Sequence, residues 1–335
     1  MSAPKLKLVG QNEASESPAQ AGNPDYLAVP REQVLARETA VTDLFVALSS
    51  GKMVKVAHKG EKIDRSRIER LGEKNVKELF VTSNEFSGVI QDLLSNVRAS
   101  AKKADGDKTV AQYFQVAETV LTELSQLPLT DEAIGHAVIV TQDIANQLQE
   151  VNDISKGLRM ILSLGEDYSR HALGCVVVSN WLARAMGWSS PLLLQPLTLG
   201  AFLHDIGLKE LPAELRNKAR IDFSTEETAQ YETHPTRGMM ILKEFNAISS
   251  DVLQIVNEHH EMPNGQGYPS RLRGERMFPP AKVVSFANTI AHEMLDAIII
   301  KRSFSIDSMI QRIDTVYRST YGVEMQKAAK SIFKK

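Results

Sequence analysis

The sequence predicts a mainly α-helical protein in which a small α+β module precedes a longer helical region. Three observations carry this reading. Apolar residues recur at helical spacing from Ser83 onward, short apolar runs broken by turn residues fill about Asp25 to Ser83, and 335 residues suit two domains at roughly 150 residues each.

In chain order, residues 1–24 are rich in Ser, Ala, Gln, Asn and Gly and read as a flexible leader. Over 25–83, Phe45–Leu48, Met53–Ala57 and Leu79–Val81 read as strands, with Ser50-Gly51 and Lys59-Gly60 as turns. Asp64 caps a short helix over Asp64–Leu71. This stretch holds no catalytic constellation and reads as a regulatory module. Residues 84–164 form a helical connector. Phe86, Val89, Ile90, Leu93 and Leu94 define its first helix, capped by Ser83 or Asn84, and Lys102–Lys108 break it. Val116, Val120, Leu121 and Leu124 define a second helix, ending before Pro128, and Thr130 with Glu132 opens a third. An amphipathic connector packs within its own chain or supports a homodimer. Residues 165–335 carry the chemistry.

Composition excludes several classes. Lys plus Arg number 39 against 41 Asp plus Glu, so no global positive field recruits nucleic acid or anionic lipid. The first twenty residues lack an apolar h-region, and no run approaches the 18 or so apolar residues of a membrane span. One cysteine, Cys175, makes no internal disulfide and fits a reducing compartment. It lies in the apolar run Cys175–Val178 and reads as a core residue. A cytoplasmic location, without membrane insertion, is the expectation.

Five of the eight histidines fall between 171 and 260. His171 stands in a helical pattern. His204-Asp205 ends the apolar helix Leu192–Leu203, and His234-Pro235 begins another, where Pro fits the first turn. His259-His260-Glu261 closes a helix over Asp251–Glu258. Imidazole and carboxylate are ligands for first-row metals. Adjacent residues inside a helix point about 100° apart, so each pair suits two ions better than one. Any one of these histidines alone reads as a satisfied core or surface residue; the segments together point to a binuclear centre.

These segments, HDIG at 204–207, HPTRG at 234–238 and HHEMPNGQGYP at 259–269, resemble the HD-GYP domain, a branch of the HD metal-dependent phosphohydrolases. The resemblance runs from about Gly165 to Asp307 and implies an all-helical HD-type domain. It implies two or three divalent ions, iron or manganese, and hydrolysis of cyclic di-GMP to the linear dinucleotide or GMP by a metal-bridged hydroxide. His171, His204 and Asp205 match ligands of the first metal, with Asp205 bridging, and His234, His259 and His260 match those of the second. Asp167, one turn before His171, matches the acidic position of a third metal or is a solvated helix-end carboxylate. Tyr268 and Gly267 would border the substrate, with Gly265 and Gly267 giving the loop its unusual dihedrals. The N-terminal module resembles small domains that precede some HD-GYP domains.

The sequence departs from that pattern at four places. Where the family has an aspartate that ligates the first metal, 28 residues after His260, stands Asn288, a neutral ligand that would weaken that first site. The lysine of HDIGK is replaced by Leu208, with Lys209 adjacent but turned away. An Arg and a Lys further on correspond to Ala297 and Ile300, with Lys301 and Arg302 as substitutes if the alignment is gapped. Asn264 replaces the Asp of a DG turn, which Asn also supports. His292, one turn beyond Asn288, is a polar helix residue or a replacement ligand. Two readings follow. One is a metal-dependent cyclic-dinucleotide phosphodiesterase. The alternative is a degenerate domain that binds metal, nucleotide or a protein partner and signals without catalysis.

Overall fold

The computed structural model describes residues 25–35, 37–101, 106–150, 167–299 and 306–333. The chain divides into two compact units: Met1–Lys102 with Thr122–Pro128, and Lys103–Leu121 with Leu129–Lys335.

The first unit is built on a four-stranded antiparallel sheet. Its strands are β1 (Tyr26–Pro30), β2 (Leu44–Ala47), β3 (Met53–Ala57) and β4 (Glu78–Thr82), in the order β1-β4-β2-β3. Strand β4 is interior and buries Leu79, Phe80 and Val81 in succession, whereas β1 alternates, turning Leu27 and Val29 inward. The sequence reading found β2, β3 and β4 but not β1. A five-residue run ending in proline carries a weak strand signal, and Pro30 is tolerated here because β1 is an edge strand. Gly51 and Gly60 take left-handed φ of 76° and 81° at the two expected turns.

Helix α1 (Arg31–Leu35) follows β1 directly. Helix α2 (Arg65–Glu73) starts at Asp64, whose carboxylate accepts the Arg67 N–H at 3.1 Å. Helix α3 (Phe86–Ala101) follows a single 3₁₀ turn over Ser83–Glu85 and buries Phe86, Val89, Ile90, Leu93, Leu94 and Val97. Buried Arg37 ties the segment before β2 to this helix, through Asp92 at 2.7 Å and the Val89 carbonyl at 3.3 Å.

Helix α4 (Gly106–Gln126) contributes residues to both units, so the stretch read as a connector is divided between them. The second unit is helical. Its helices are α5 (Asp131–Glu150), α6 (Asp167–Ala185), α7 (Pro191–Leu203), α8 (Ala213–Arg216), α9 (Thr225–Tyr231), α10 (His234–Leu242), α11 (Ser250–Glu258) and α12 (Pro279–Ile299). The last three are α13 (Ile306–Arg312), α14 (Arg318–Tyr321) and α15 (Val323–Phe333). Thr130 caps α5 by accepting the Ala133 N–H at 3.1 Å. Helix α7 is buried on every side from Leu197 to Leu203, which explains its apolar sequence and weak amphipathicity. It lies among α5, α6 and α11, and α12 runs along α6. None of the described helices is long and apolar enough to cross a membrane.

Candidate metal centre

The ends of three helices and the interiors of two more define the site. His171 lies on α6, His204 ends α7, His234 opens α10, His259 ends α11, and Asn288 lies on α12. Two glycines bring these ends together. A Cβ on Gly207 would stand 2.0 Å from the His234 carbonyl oxygen and 2.5 Å from the Gly238 nitrogen. A Cβ on Gly238 would meet Val256 at 3.0 Å and the Gly207 nitrogen at 3.2 Å. The backbone after Asp205 therefore rests directly on the first turn of α10.

Asp205 sits at the centre, and its two oxygens divide the histidines. Oδ1 is 3.2 Å from His234 Nε2 and 3.6 Å from His259 Nε2. Oδ2 is 3.3 Å from His204 Nε2 and 3.7 Å from His171 Nε2. The sequence reading assumed helical geometry for the adjacent pair. Instead α7 stops at Leu203, and Asp205 adopts φ −95°, ψ 7°, which turns its carboxylate back onto the neighbouring imidazole.

The tautomers follow from the partners. Nδ1–H of His204, His234 and His259 donates to the carbonyls of Ala201, Tyr231 and Val256 at 2.8, 2.8 and 2.7 Å. A carbonyl only accepts, so Nδ1 carries the proton and each Nε2 lone pair faces Asp205. His171 and His204 then bring Nε2 atoms to 3.1 Å, as do His234 and His259. The Nδ1 of His171 has no partner to fix its tautomer, but His234 and His259 meet through two bare nitrogens, which cannot bond each other. They match two ligands at about 2.1 Å from a common ion and about 95° apart, which stand about 3 Å from one another. The donor set therefore fits divalent metal ions.

Two groups of donors each converge within 4.8 Å: Asp205, His234, His259 and His260, and His171, Cys175 and His204. Their electrostatics suit ligation. Burial pushes His171 and His260 well below the ordinary imidazole value, helped by neighbouring imidazoles, and brings His259 to about 4. Burial opposes ionisation of Asp205, but in the metal-free centre a second proton on His204, at Nε2, would pair with it, and this holds its carboxyl well below the usual range. Burial also works against a charge on His204, but Asp205 outweighs it and raises that imidazole.

Tyr268 stacks on His260, with centroids 4.6 Å apart, and its hydroxyl is buried without a hydrogen-bond partner. Its loop is fixed from beneath. Fully buried Glu261 accepts the N–H groups of Ser270 at 2.5 Å and Leu272 at 2.8 Å. Asn264 makes the expected turn by accepting the Gln266 N–H at 3.0 Å, and Gly265 takes φ 79°. Gly267 differs from expectation. Its φ is not left-handed; glycine is required there because a Cβ would lie 2.3–2.5 Å from the backbone of Met262, His260 and Glu261.

Asn288 is buried, with Nδ2 3.5 Å from His260 Nδ1 and Oδ1 unpartnered. The His292 ring lies 4.1 Å from that of His171. Lys209 is half-buried in the 3₁₀ turn Ile206–Glu210. Asp167 is the first residue of α6, and its side chain, like Lys301 and Arg302, lies outside the described residues.

A cavity of about 600 Å³ opens beside Tyr268, lined by Glu232, Thr233, Thr236, Arg237 and Arg271 among others. Arg271 has φ 54°, a conformation uncommon for a residue with a side chain. These two arginines were missed in the sequence because replacements for the absent cations were sought beyond Asn288. They lie inside the HPTRG segment and two residues after the GYP.

Residues 159–315 match the model of the HD domain family. The chain is 27% identical over 157 residues, 44% of its length, to cyclic di-GMP phosphodiesterase PA4108 of Pseudomonas aeruginosa. The match spans about a third, 36%, of that protein. Among solved structures, Bd1817, an HDG"Y"P protein from Bdellovibrio bacteriovorus, matches with a TM-score of 0.67 at 20% identity, covering 93% of this chain and 100% of that one. The HD domain of the phosphodiesterase PgpH of L. monocytogenes, in complex with cyclic di-AMP, gives a TM-score of 0.38 at 16% identity, covering 53% of this chain and 94% of that one. Residues 159–315 of this chain thus match the HD domain family, and the segments at 204–207, 234–238 and 259–269 that resemble its HD-GYP branch lie within that match.

Proposed function

We propose that the chain is a metal-dependent phosphodiesterase that hydrolyses cyclic di-GMP, or a related cyclic dinucleotide, to the linear dinucleotide or GMP. The observation that carries this reading is the division of the Asp205 oxygens between two sets of imidazoles whose lone pairs converge. Two divalent ions, iron or manganese, suit the imidazole and carboxylate donors. His171, His204 and Asp205 would hold one, and Asp205, His234, His259 and His260 the other, with Asn288 beside the second set. Bound there, such ions supply Lewis acidity toward phosphoryl oxygens and an activated water at neutral pH.

The remaining work falls to the chain's own groups. Burial excludes bulk water and strengthens every charge interaction in the centre. Burial also pushes the Tyr268 hydroxyl well above the usual phenol value, so it stays protonated. Its unpartnered O–H is available to donate to a phosphate oxygen. Arg237 and Arg271 place positive charge at the adjacent cavity, whose volume lies within the range for small-molecule sites. Glu261 acts as a positioning residue, because it holds the loop that carries Tyr268.

A second reading, binding and signalling without catalysis, is favoured by Asn288. A neutral amide stands next to His260, and its oxygen makes no hydrogen bond. Turnover of cyclic di-GMP by full-length protein loaded with iron or manganese separates the two. The phosphodiesterase reading expects linear dinucleotide or GMP from the wild type and none from His260→Ala. Metal-loaded wild type without turnover would leave the binding reading.

A further inference from the structure

The chain's single cysteine is fully buried on α6, one turn after His171. Its Sγ lies 3.8 Å from His171 Nε2 and, with His204, completes a donor group whose atoms all lie within 4.8 Å of one another. A sulfur at about 2.3 Å and a nitrogen at about 2.1 Å from one ion stand 3.8 Å apart when the angle between them is about 120°. That angle suits a tetrahedral or trigonal site. His204 of the same donor group faces this spot as well. It is fully buried, its Nδ1–H is committed to Ala201, and its bare Nε2 faces that of His171 at 3.1 Å.

Burial first, and Asp205 second, push the Cys175 thiol well above its ordinary value in the metal-free protein, so a negative charge there would come only with a bound ion; the charge of the ions themselves argues for it. Two divalent ions would meet five neutral imidazoles, the Asn288 amide and one carboxylate, Asp205. The other fully or nearly buried carboxylates nearby are committed elsewhere. Glu258 accepts from the Phe278 N–H and Gln254, and Glu261 from Ser270 and Leu272. Among the described residues converging on the centre, Cys175 is the one further group able to bring a negative charge.

We infer that Cys175 is a thiolate ligand of the ion held by His171, His204 and Asp205. Binding breaks the S–H bond and forms a sulfur–metal bond; the proton leaves to solvent, and neither sulfur nor metal changes oxidation state. A sulfur donor shifts that position toward ions that accept soft ligands, such as zinc, cobalt or ferrous iron, and away from manganese and magnesium. The two positions of the centre then differ in chemistry, one sulfur-containing and one held by imidazole and carboxylate alone. The inference rests on the reading that the cluster binds metal, and its test separates the two.

The experiment uses the full chain, stripped of metal and loaded with Co²⁺. Elemental analysis reports cobalt per chain, and near-ultraviolet absorption reports sulfur-to-cobalt charge transfer. With one cysteine in the sequence, any such band originates at Cys175. The wild type is expected to show the band. Cys175→Val, which fills the buried space, and Cys175→Ser, which keeps the size, are expected to lose it while retaining cobalt at the His234, His259 and His260 set. In Cys175→Ser, affinity for zinc relative to manganese at the first position is expected to fall by roughly 10–100-fold or more. Cobalt bound by the wild type without the band overturns the thiolate and leaves the metal centre standing. No cobalt bound overturns the metal centre and the thiolate with it. Should both variants fail to fold, the wild-type spectrum still decides.

Discussion

Glu261→Gln changes one atom type in a fully buried side chain and tests how the loop bearing Tyr268 is held. The carboxylate accepts two backbone N–H groups, from Ser270 at 2.5 Å and Leu272 at 2.8 Å, one on each oxygen. Glutamine has the same shape, but only one of its terminal atoms accepts. One N–H is left facing an NH₂ in a dry site, which costs about 1–3 kcal/mol. The surviving bond loses its charge assistance, which roughly doubles such a bond, for about 1 kcal/mol more. The sum is about 2–4 kcal/mol. If the loop opens locally, amide exchange over residues 262–278 is expected to rise by roughly 30- to 1,000-fold. If the loss is global, Tm is expected to fall by roughly 5–10 °C. Exchange by mass spectrometry and thermal unfolding read the two cases. Wild-type exchange together with a Tm within about 1 °C would refute the argument, since two buried N–H groups cannot share one acceptor without cost.

Gly207→Ala is expected to cost at least about 3 kcal/mol, because its Cβ would strike backbone atoms of His234 and Gly238 rather than a side chain that can turn. It is also expected to reduce metal content by parting Asp205 from His234; wild-type Tm and metal stoichiometry would sink this. The metal-free protein is expected to lose stability in acid. Burial first, and imidazole neighbours second, keep His171 and His260 well below the ordinary imidazole value, while burial brings His259 to about 4. The unfolded chain takes up protons near pH 6.5 where these folded imidazoles do not. Stability is therefore full above about pH 6.5 and declines toward pH 4, with about 3 kcal/mol from His259 alone. His204 acts oppositely. Asp205 outweighs burial and raises it, so its contribution is full below 6.5 and fades as pH rises through its folded value. Three groups outweigh one, and urea unfolding of chelated protein is expected to weaken between pH 7 and 4.5; a flat or rising profile would contradict this balance.

The side chains that converge at the centre were legible in the sequence as a candidate set because metal chemistry restricts residue type. His204-Asp205, His234 and His259-His260 stand where helices begin or end, and those ends are marked by Pro235 and by loss of periodicity. The folding of the dipeptides was not legible. Reasoning from helical angles placed His204 and Asp205 about 100° apart, but the helix ends before both and their side chains meet at 3.3 Å. The glycines were similarly half-read. Gly207 and Gly238 looked like motif letters, and Gly267 like a dihedral requirement, whereas Gly207 and Gly267 mark backbone packed on backbone and Gly238 a close approach of side chains and backbone, properties of tertiary contact that no single segment reveals.

Cys175 shows how strongly context decides such a reading. Within its own apolar run it is a core residue, and the structure does bury it completely. Four residues from His171 on one helix, it also faces the same side as a ligand, so burial and ligation are compatible. Asn288 gives the converse case. Read alone it is a lost carboxylate, which argues for a silent centre. Read with Cys175 it is a change of donor, in which negative charge moves from an oxygen beside His260 to a sulfur beside His171. The centre would then keep its total charge while altering which metal each position prefers.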